Sequence, residues 1–273
     1  ASGDAARQKM QIKSFTAWVN LHLNKASLNV DDLKTDFCDG IKLLRLVEII
    51  SEEELGKYNK NPSSKFQKVE NLNIPLKFIN SFLVDVGIRN SYSAENILEE
   101  NTTLILGMVW SLILRYSVQE VSEGDKTAKE GLLLWAKTKV GEVSKGAISI
   151  NNFHTSWQDG IAFNALIQAY RPDLVDYQKL NPKSKMENLD HAFELAHSAL
   201  DIPKLLDAQD MVTMRPDEKS VMTYVSFFWK CFAANKRKKI AGERIAHHDT
   251  AVHSLLQVAP DLPRSRAQLL CWP

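Results

Sequence analysis

An all-α chain built from one helical unit written twice is what the sequence predicts, and three observations predict it. Apolar residues recur at three- and four-residue spacing, and no stretch alternates β-branched and polar residues over several positions. A set of landmarks returns at a nearly constant offset: Trp18 and Trp135 lie 117 positions apart, Gly40 and Gly160 lie 120 apart, and Asn71 and Asn188 lie 117 apart. The run Thr103 to Arg115 is apolar on every face of the helix it must form. It is shorter than the roughly 20 residues that cross a bilayer, so it belongs in a core. One small unit can hardly surround such a helix, and a second unit or a partner is expected against it.

Taken in order, residues 1–9 are small and polar and are expected as a flexible leader. Ile12, Phe15, Val19 and Leu23 give an amphipathic helix ending near Lys25. Asp39 and Gly40 then form a start signal for a helix over Ile41 to Ile50. After a polar loop through Pro62, a helix from about Lys65 to Val86 follows, with Pro75 as the place for a bend and Gly87 as its stop. Ala94 to Glu99 leads into the apolar helix, which closes a first domain over residues 10–120. The polar stretch 121–126 reads as a linker. Residues 127–240 repeat the plan: Trp157-Gln158-Asp159-Gly160 answers Phe37-Cys38-Asp39-Gly40, and Asn188-Leu189 answers Asn71-Leu72. The last helix is expected to end in Lys236-Arg237-Lys238-Lys239, a run that reads as a solvated helix end or as a site for membrane phosphoinositide. Residues 241–273, with His247, Pro260 and Pro263, show no sustained period and are expected as a weakly ordered tail.

Composition narrows the function. With 273 residues the chain has room for one to two domains. Lys and Arg number 34 against 33 Asp and Glu, so no global charge drives it to nucleic acid. Three widely spaced cysteines and the lack of an apolar signal in the first ten residues lead to the expectation of an intracellular chain. No phosphate loop, HExxH, GxSxG or calcium loop appears. His191 and His197 lie on different faces of a helix, His154 has no recognisable partner acid, and Cys38 reads as a small buried hydrophobe. No residue is expected to be catalytic, and no metal or cofactor is expected.

Five longer stretches carry a family's wording: Phe15-Thr16-Ala17-Trp18, Leu106-Gly107-Met108-Val109-Trp110, Thr127 to Trp135, Asp201 to Ala208, and Arg215 to Tyr224. Together they resemble the tandem calponin-homology actin-binding domain of the α-actinin, spectrin and cortexillin branch, over about Gln11 to Ile240. The resemblance implies two helical bundles in tandem and binding to F-actin as part of a crosslinking protein, placed in the cytoplasm at the actin cytoskeleton or cell cortex. Its actin-binding segments correspond to Ile12–Lys25, Thr103–Ser122 and Thr127–Lys139. In the first, Lys13, Asn20, Asn24 and Lys25 are the outward candidates, with Trp18 among them and mostly core. In the second, Leu106, Met108, Trp110, Leu112 and Tyr116 offer apolar surface of the kind found at interface centres. In the third, Leu133 and Trp135 are expected in the core, while Lys129, Lys137 and Lys139 meet acidic actin or remain solvated. With Lys145, these lysines are also the candidates for an inositol phosphate headgroup. The resemblance further implies that Trp110 faces Lys219 across the two domains, in a closed arrangement that competes with actin. The rival reading is a phosphoinositide-responsive adaptor between membrane and cytoskeleton, itself not transmembrane.

Overall fold

Capping residues place the helix starts. The computed structural model describes residues 2–121, 126–212 and 215–258. The first half contains α1 (Ser2–Leu23), α2 (Leu33–Asp36), α3 (Ile41–Ser51), α4 (Lys65–Phe82), α5 (Ala94–Leu98) and α6 (Thr102–Ile113). The second contains α7 (Ala128–Ser144), α8 (Ile161–Tyr170), α9 (Lys185–Leu200), α10 (Ala208–Met211) and α11 (Glu218–Val258). Reciprocal capping boxes open three of them: Ser64 with Gln67, Ser93 with Asn96, and Thr127 with Glu130. No strand occurs among the described residues.

The repeated Asp-Gly pair and the repeated asparagine form one device, used twice. Gly40 and Gly160 adopt φ values of +79° and +77°, which glycine reaches without strain. Asp39 Oδ1 accepts from the Ile41 N–H at 2.9 Å, and Asp159 Oδ1 from the Ile161 N–H at 3.0 Å, so each aspartate caps the helix after its glycine. Across the core, Asn71 Nδ2 donates to the Asp39 and Asn59 carbonyls at 3.0 and 2.8 Å. Asn188 Nδ2 does the same to Asp159 and Asn181 at 3.1 and 2.8 Å. Each buried amide thus ties its helix, α4 or α9, to the turn before α3 or α8, satisfying carbonyls that burial would otherwise strand.

Each half has its own core. Phe15, Trp18, Val19 and Leu23 of α1 are fully buried against α3 and α6, with Leu43, Leu44, Leu46, Leu72, Met108 and Leu112. In the second half Leu132, Ala136 and Val140 of α7 take the places of Phe15, Val19 and Leu23. The rest is aromatic: Trp157, Phe193, Tyr224 and Phe228 surround Phe163 with ring centroids 4.8–6.1 Å away. Trp135 and Leu133 depart from expectation. They are half-buried, not core, because Leu132, Ala136 and Val140 already set the inward stripe of α7 at four-residue spacing.

Several boundaries differ from the sequence reading. α1 begins at Ser2, so the leader is helical, with Asp4 in its first turn and an ion pair from Arg7 to Asp4 one turn on. Pro75 lies inside α4 without ending it, and α4 stops at Phe82, short of Val86. α6 passes into a π-helical turn, Leu114–Val118, and a 3-10 turn, Gln119–Val121. With those turns the apolar stretch Thr102–Val121 reaches 20 residues, long and apolar enough to cross a bilayer. Yet 61% of its most apolar window is buried by the rest of the chain. Linker residues 122–125 and tail residues 259–273 lie outside the described residues.

By internal contact the chain divides into Ala1–Trp229, which holds α1 to α10 and the start of α11, and Lys230–Pro273. In the latter, α11 runs on to Val258, past the boundary expected at Ile240. The exposed run Lys236 to Lys239 is therefore mid-helix, and its stabilisation as a helix end does not apply.

Candidate functional site

Of the residues singled out from sequence, Trp110 and Lys219 meet between the two halves, on α6 and the start of α11, with Lys13 of α1 and Lys129 of α7 in ion pairs nearby. Trp110 of α6 retains only 8% exposure, stacked at 9° on Phe15 with centroids 6.1 Å apart. Its cover includes the second half: Lys219 Nζ stands 5.7 Å from the centroid of the Trp110 ring. The apolar helix is therefore not sealed within its own half. A cation over an aromatic face is attracted by the ring quadrupole, by about 0.5–2 kcal/mol.

Beside it runs an enclosed polar chain. Ser14 Oγ donates to Ser220 Oγ at 2.8 Å, and Ser220 Oγ donates to Asp217 Oδ2 at 2.7 Å. Asp217 also accepts from Gln11 Nε2 at 2.8 Å and from the Ser220 N–H at 2.8 Å. Ser14 and Ser220 are fully buried and Asp217 is 4% exposed, so this carboxylate replaces its lost water with donors. Next to this chain, Lys13 donates to Asp207 and Asp210 at 2.6 and 2.8 Å. None of the pairings that join α1 to the second half was legible in the sequence: those partners lie about two hundred positions apart, and no periodicity links them.

The remaining candidates sort by burial. Trp18, Met108 and Leu112 are fully buried and Leu106 is 4% exposed, so in this arrangement they pack the core and touch no partner. Trp18 Nε1 donates to Ser117 Oγ at 3.0 Å. Asn20 is spent locally, exchanging two hydrogen bonds with the Val30 backbone at 2.8 and 2.7 Å. Asn24 and Lys25 are exposed. Tyr116 is half-buried with its ring edge-on to Phe82 at 6.1 Å, and burial raises its hydroxyl pKa. On α7, Lys129 pairs with Glu218 at 2.7 Å and Lys139 with Glu142 at 2.8 Å, while Lys137 and Lys145 are exposed. At 100° per residue Lys137 and Lys139 project roughly 200° apart around α7, so the four lysines do not form one patch.

No group of three or more His, Cys, Asp or Glu residues suited to a metal occurs among the described residues. Cys38 Sγ lies 3.1 Å from the Lys34 carbonyl and 3.4 Å from that of Ile97, and burial raises its pKa, so it is held as the thiol. His191 Nδ1 lies 3.0 Å from Asn164 Oδ1.

His154 has a lowered pKa. Burial first, then the Arg215 guanidinium 3.5 Å from its Nε2 and the charge of Lys129, hold it below the ordinary 6.5, against Glu218. A histidine depressed on folding contributes stability above its unfolded pKa and loses it as pH falls through the folded one. His154→Gln should therefore melt with a shallower dependence on pH between about 7.5 and 5 than the parent. Thermal denaturation across that range checks this, and parallel curves would exclude the contribution.

A family model described as the calponin homology (CH) domain matches the chain twice, over residues 9–118 and 126–234. Alpha-actinin-4 of Gallus gallus is 42% identical over 270 residues, 98% of this chain and 29% of that protein. Alpha-actinin of Dermatophagoides farinae is 44% identical over 273 residues, 98% of this chain and 30% of that protein. The chain thus spans under a third of the length of these relatives. Among solved structures, the actin-crosslinking core of Schizosaccharomyces pombe fimbrin superposes with a TM-score of 0.65 at 22% identity. That superposition covers 81% of this chain and 49% of the other, a likeness of fold.

Proposed function

The chain belongs to the calponin homology domain family, with two such domains in tandem, and on that premise we propose that it is the F-actin-binding module of an actin-crosslinking cytoskeletal protein. It binds without catalysis, works in the cytoplasm at the actin cytoskeleton and cell cortex, and is regulated by opening and closing of its two halves. One observation carries the reading: proteins named alpha-actinin match 98% of this chain, across both halves and the seam between them. The geometry supports it, because Trp110, a residue type suited to an interface centre, takes part of its cover from the opposite half. Asn24, Lys25 and Lys137 offer exposed polar contacts in the segments around it. The phosphoinositide reading has less support, since Lys129 and Lys139 are already paired and the α7 lysines diverge.

Pelleting with F-actin tests the proposal. The parent chain should sediment with filaments saturably. Lys25→Glu and Lys137→Glu should each weaken binding by about two- to fivefold, the scale of a peripheral charge contact. No sedimentation of the parent at concentrations up to about 100 μM would overturn the reading. Flotation with phosphoinositide vesicles in its place would favour the adaptor.

A further inference from the structure

Lys236-Arg237-Lys238-Lys239 is the longest run of like charge in the chain, and binding to filaments makes no use of it. All four cations are exposed along α11, and so are Ala234, Asn235, Ile240 and Ala241 around them. No Asp or Glu occurs between Glu218 and Glu243, so the stretch carries no acid of its own to offset the run. None of the four is paired with an acid among the described residues. Most helical stability in proteins comes from packing an apolar face, and residues 234–241 pack none. Lys236 and Lys239 lie one turn apart, a like-charge pair that weakens the helix further. Local unwinding here therefore costs little.

We propose that Lys236-Arg237-Lys238-Lys239 is a docking signal for a nuclear import receptor, taken in extended form by an acidic groove on that receptor. Short runs of Lys and Arg are the chemistry of nuclear localisation signals. Geometry favours this partner over a flat anionic one. As a helix, the four side chains sweep roughly 300° around the axis, so a plane meets only about half of them at once. A membrane-surface helix also needs an apolar face, and Ile240 is the one large apolar residue in 234–241. A groove that grips a helix by apolar anchors fits no better, because Phe228 is fully buried and Trp229 and Phe232 are half-buried. Unwound, the cations lie in a line at about 3.3 Å per residue with alternating side chains, and a groove lined with carboxylates reaches every one. The inference goes beyond the filament reading and does not depend on it.

The test titrates the full chain, fluorescently labelled, with the purified groove-bearing subunit of a nuclear import receptor and follows anisotropy. The parent should bind saturably, and no binding up to about 100 μM overturns the proposal. Lys238→Ala should weaken binding at least about tenfold, the scale of removing one member of an enclosed charge pair. Ala234→Lys with Lys238→Ala keeps the net charge and breaks the string, both at exposed positions. It should bind as weakly as Lys238→Ala, and affinity equal to the parent would make bulk charge the cause and overturn the proposal. Asn235→Pro breaks α11 just ahead of the run. It should bind at least as tightly as the parent, whereas weaker binding would make the helix the recognised form and overturn the extended mode. All these positions lie in Lys230–Pro273, away from the cores, so thermal unfolding should match the parent throughout. Two further readouts place the run elsewhere if the proposal is wrong. A parent that floats with phosphatidylserine vesicles and ignores the receptor assigns the run to a membrane. A Lys238→Ala chain that pellets several-fold more weakly with F-actin, with no receptor binding by the parent, assigns it to the filament.

Discussion

Replacing Gly160 with alanine is expected to cost the second half about 2–4 kcal/mol of stability, seen as an earlier transition in urea or on heating. Gly160 has φ +77°, where an L side chain is strained. A Cβ there would stand 2.7 Å from the Leu189 backbone nitrogen and 2.8 Å from the Asn188 carbonyl carbon. Backbone atoms cannot swing aside as a side-chain tip can, so α8 and α9 must separate. Separation weakens the Asn188 bonds to Asp159 and Asn181 that hold the turn. Gly40→Ala should act alike in the first half, where the added carbon meets Leu72 and Asn71 at 2.8 Å. Gly141 is the control: it sits inside α7 with nothing within 4 Å. Gly141→Ala should stabilise by up to about 1 kcal/mol. A Gly160→Ala protein that melts with the parent would remove the close approach as the reason for the repeated glycine.

Lys219→Glu is expected to loosen the closed arrangement and tighten F-actin binding. Lys219 Nζ lies 5.7 Å from the Trp110 centroid, and Trp110 stacks on Phe15 behind it. Exchanging the cation for an anion loses about 0.5–2 kcal/mol of attraction and adds repulsion from the negative ring face. A change of that size multiplies a minor open population by roughly two to thirty. Pelleting across a range of filament concentrations should therefore show a correspondingly lower Kd, with Lys219→Arg close to the parent. Equal affinity for parent and Lys219→Glu would mean that this contact does not restrain opening.

The duplicated plan was readable because it is carried by local chemistry. A left-handed turn demands glycine, a helix start takes an aspartate before it, and a buried turn carbonyl needs an amide such as Asn71 or Asn188. The apolar period likewise announced α1, α3 and α6. Side-chain direction within those helices was less readable. Period alone did not separate the fully buried Met108 and Leu112 from Trp110 at the seam, because every face of α6 is apolar and burial depends on which neighbour arrives. Asn20 looks outward in the pattern, but a loop folds back and uses both ends of its amide. The helical start at Ser2 was hidden because small polar residues there carry no apolar stripe.

The sequence by itself determined that the chain is helical, that its plan occurs twice, and which turn residues each copy requires, since all three depend on neighbours within a few positions or on repetition. Only the tertiary structure decided that Lys13 meets Asp207 and Asp210 and that Ser14 meets Ser220, whereas the Lys219–Trp110 contact was implied by the family resemblance. Those pairs join residues on opposite halves, and what brings them together is the docking of two finished cores, a geometry that no local spacing encodes.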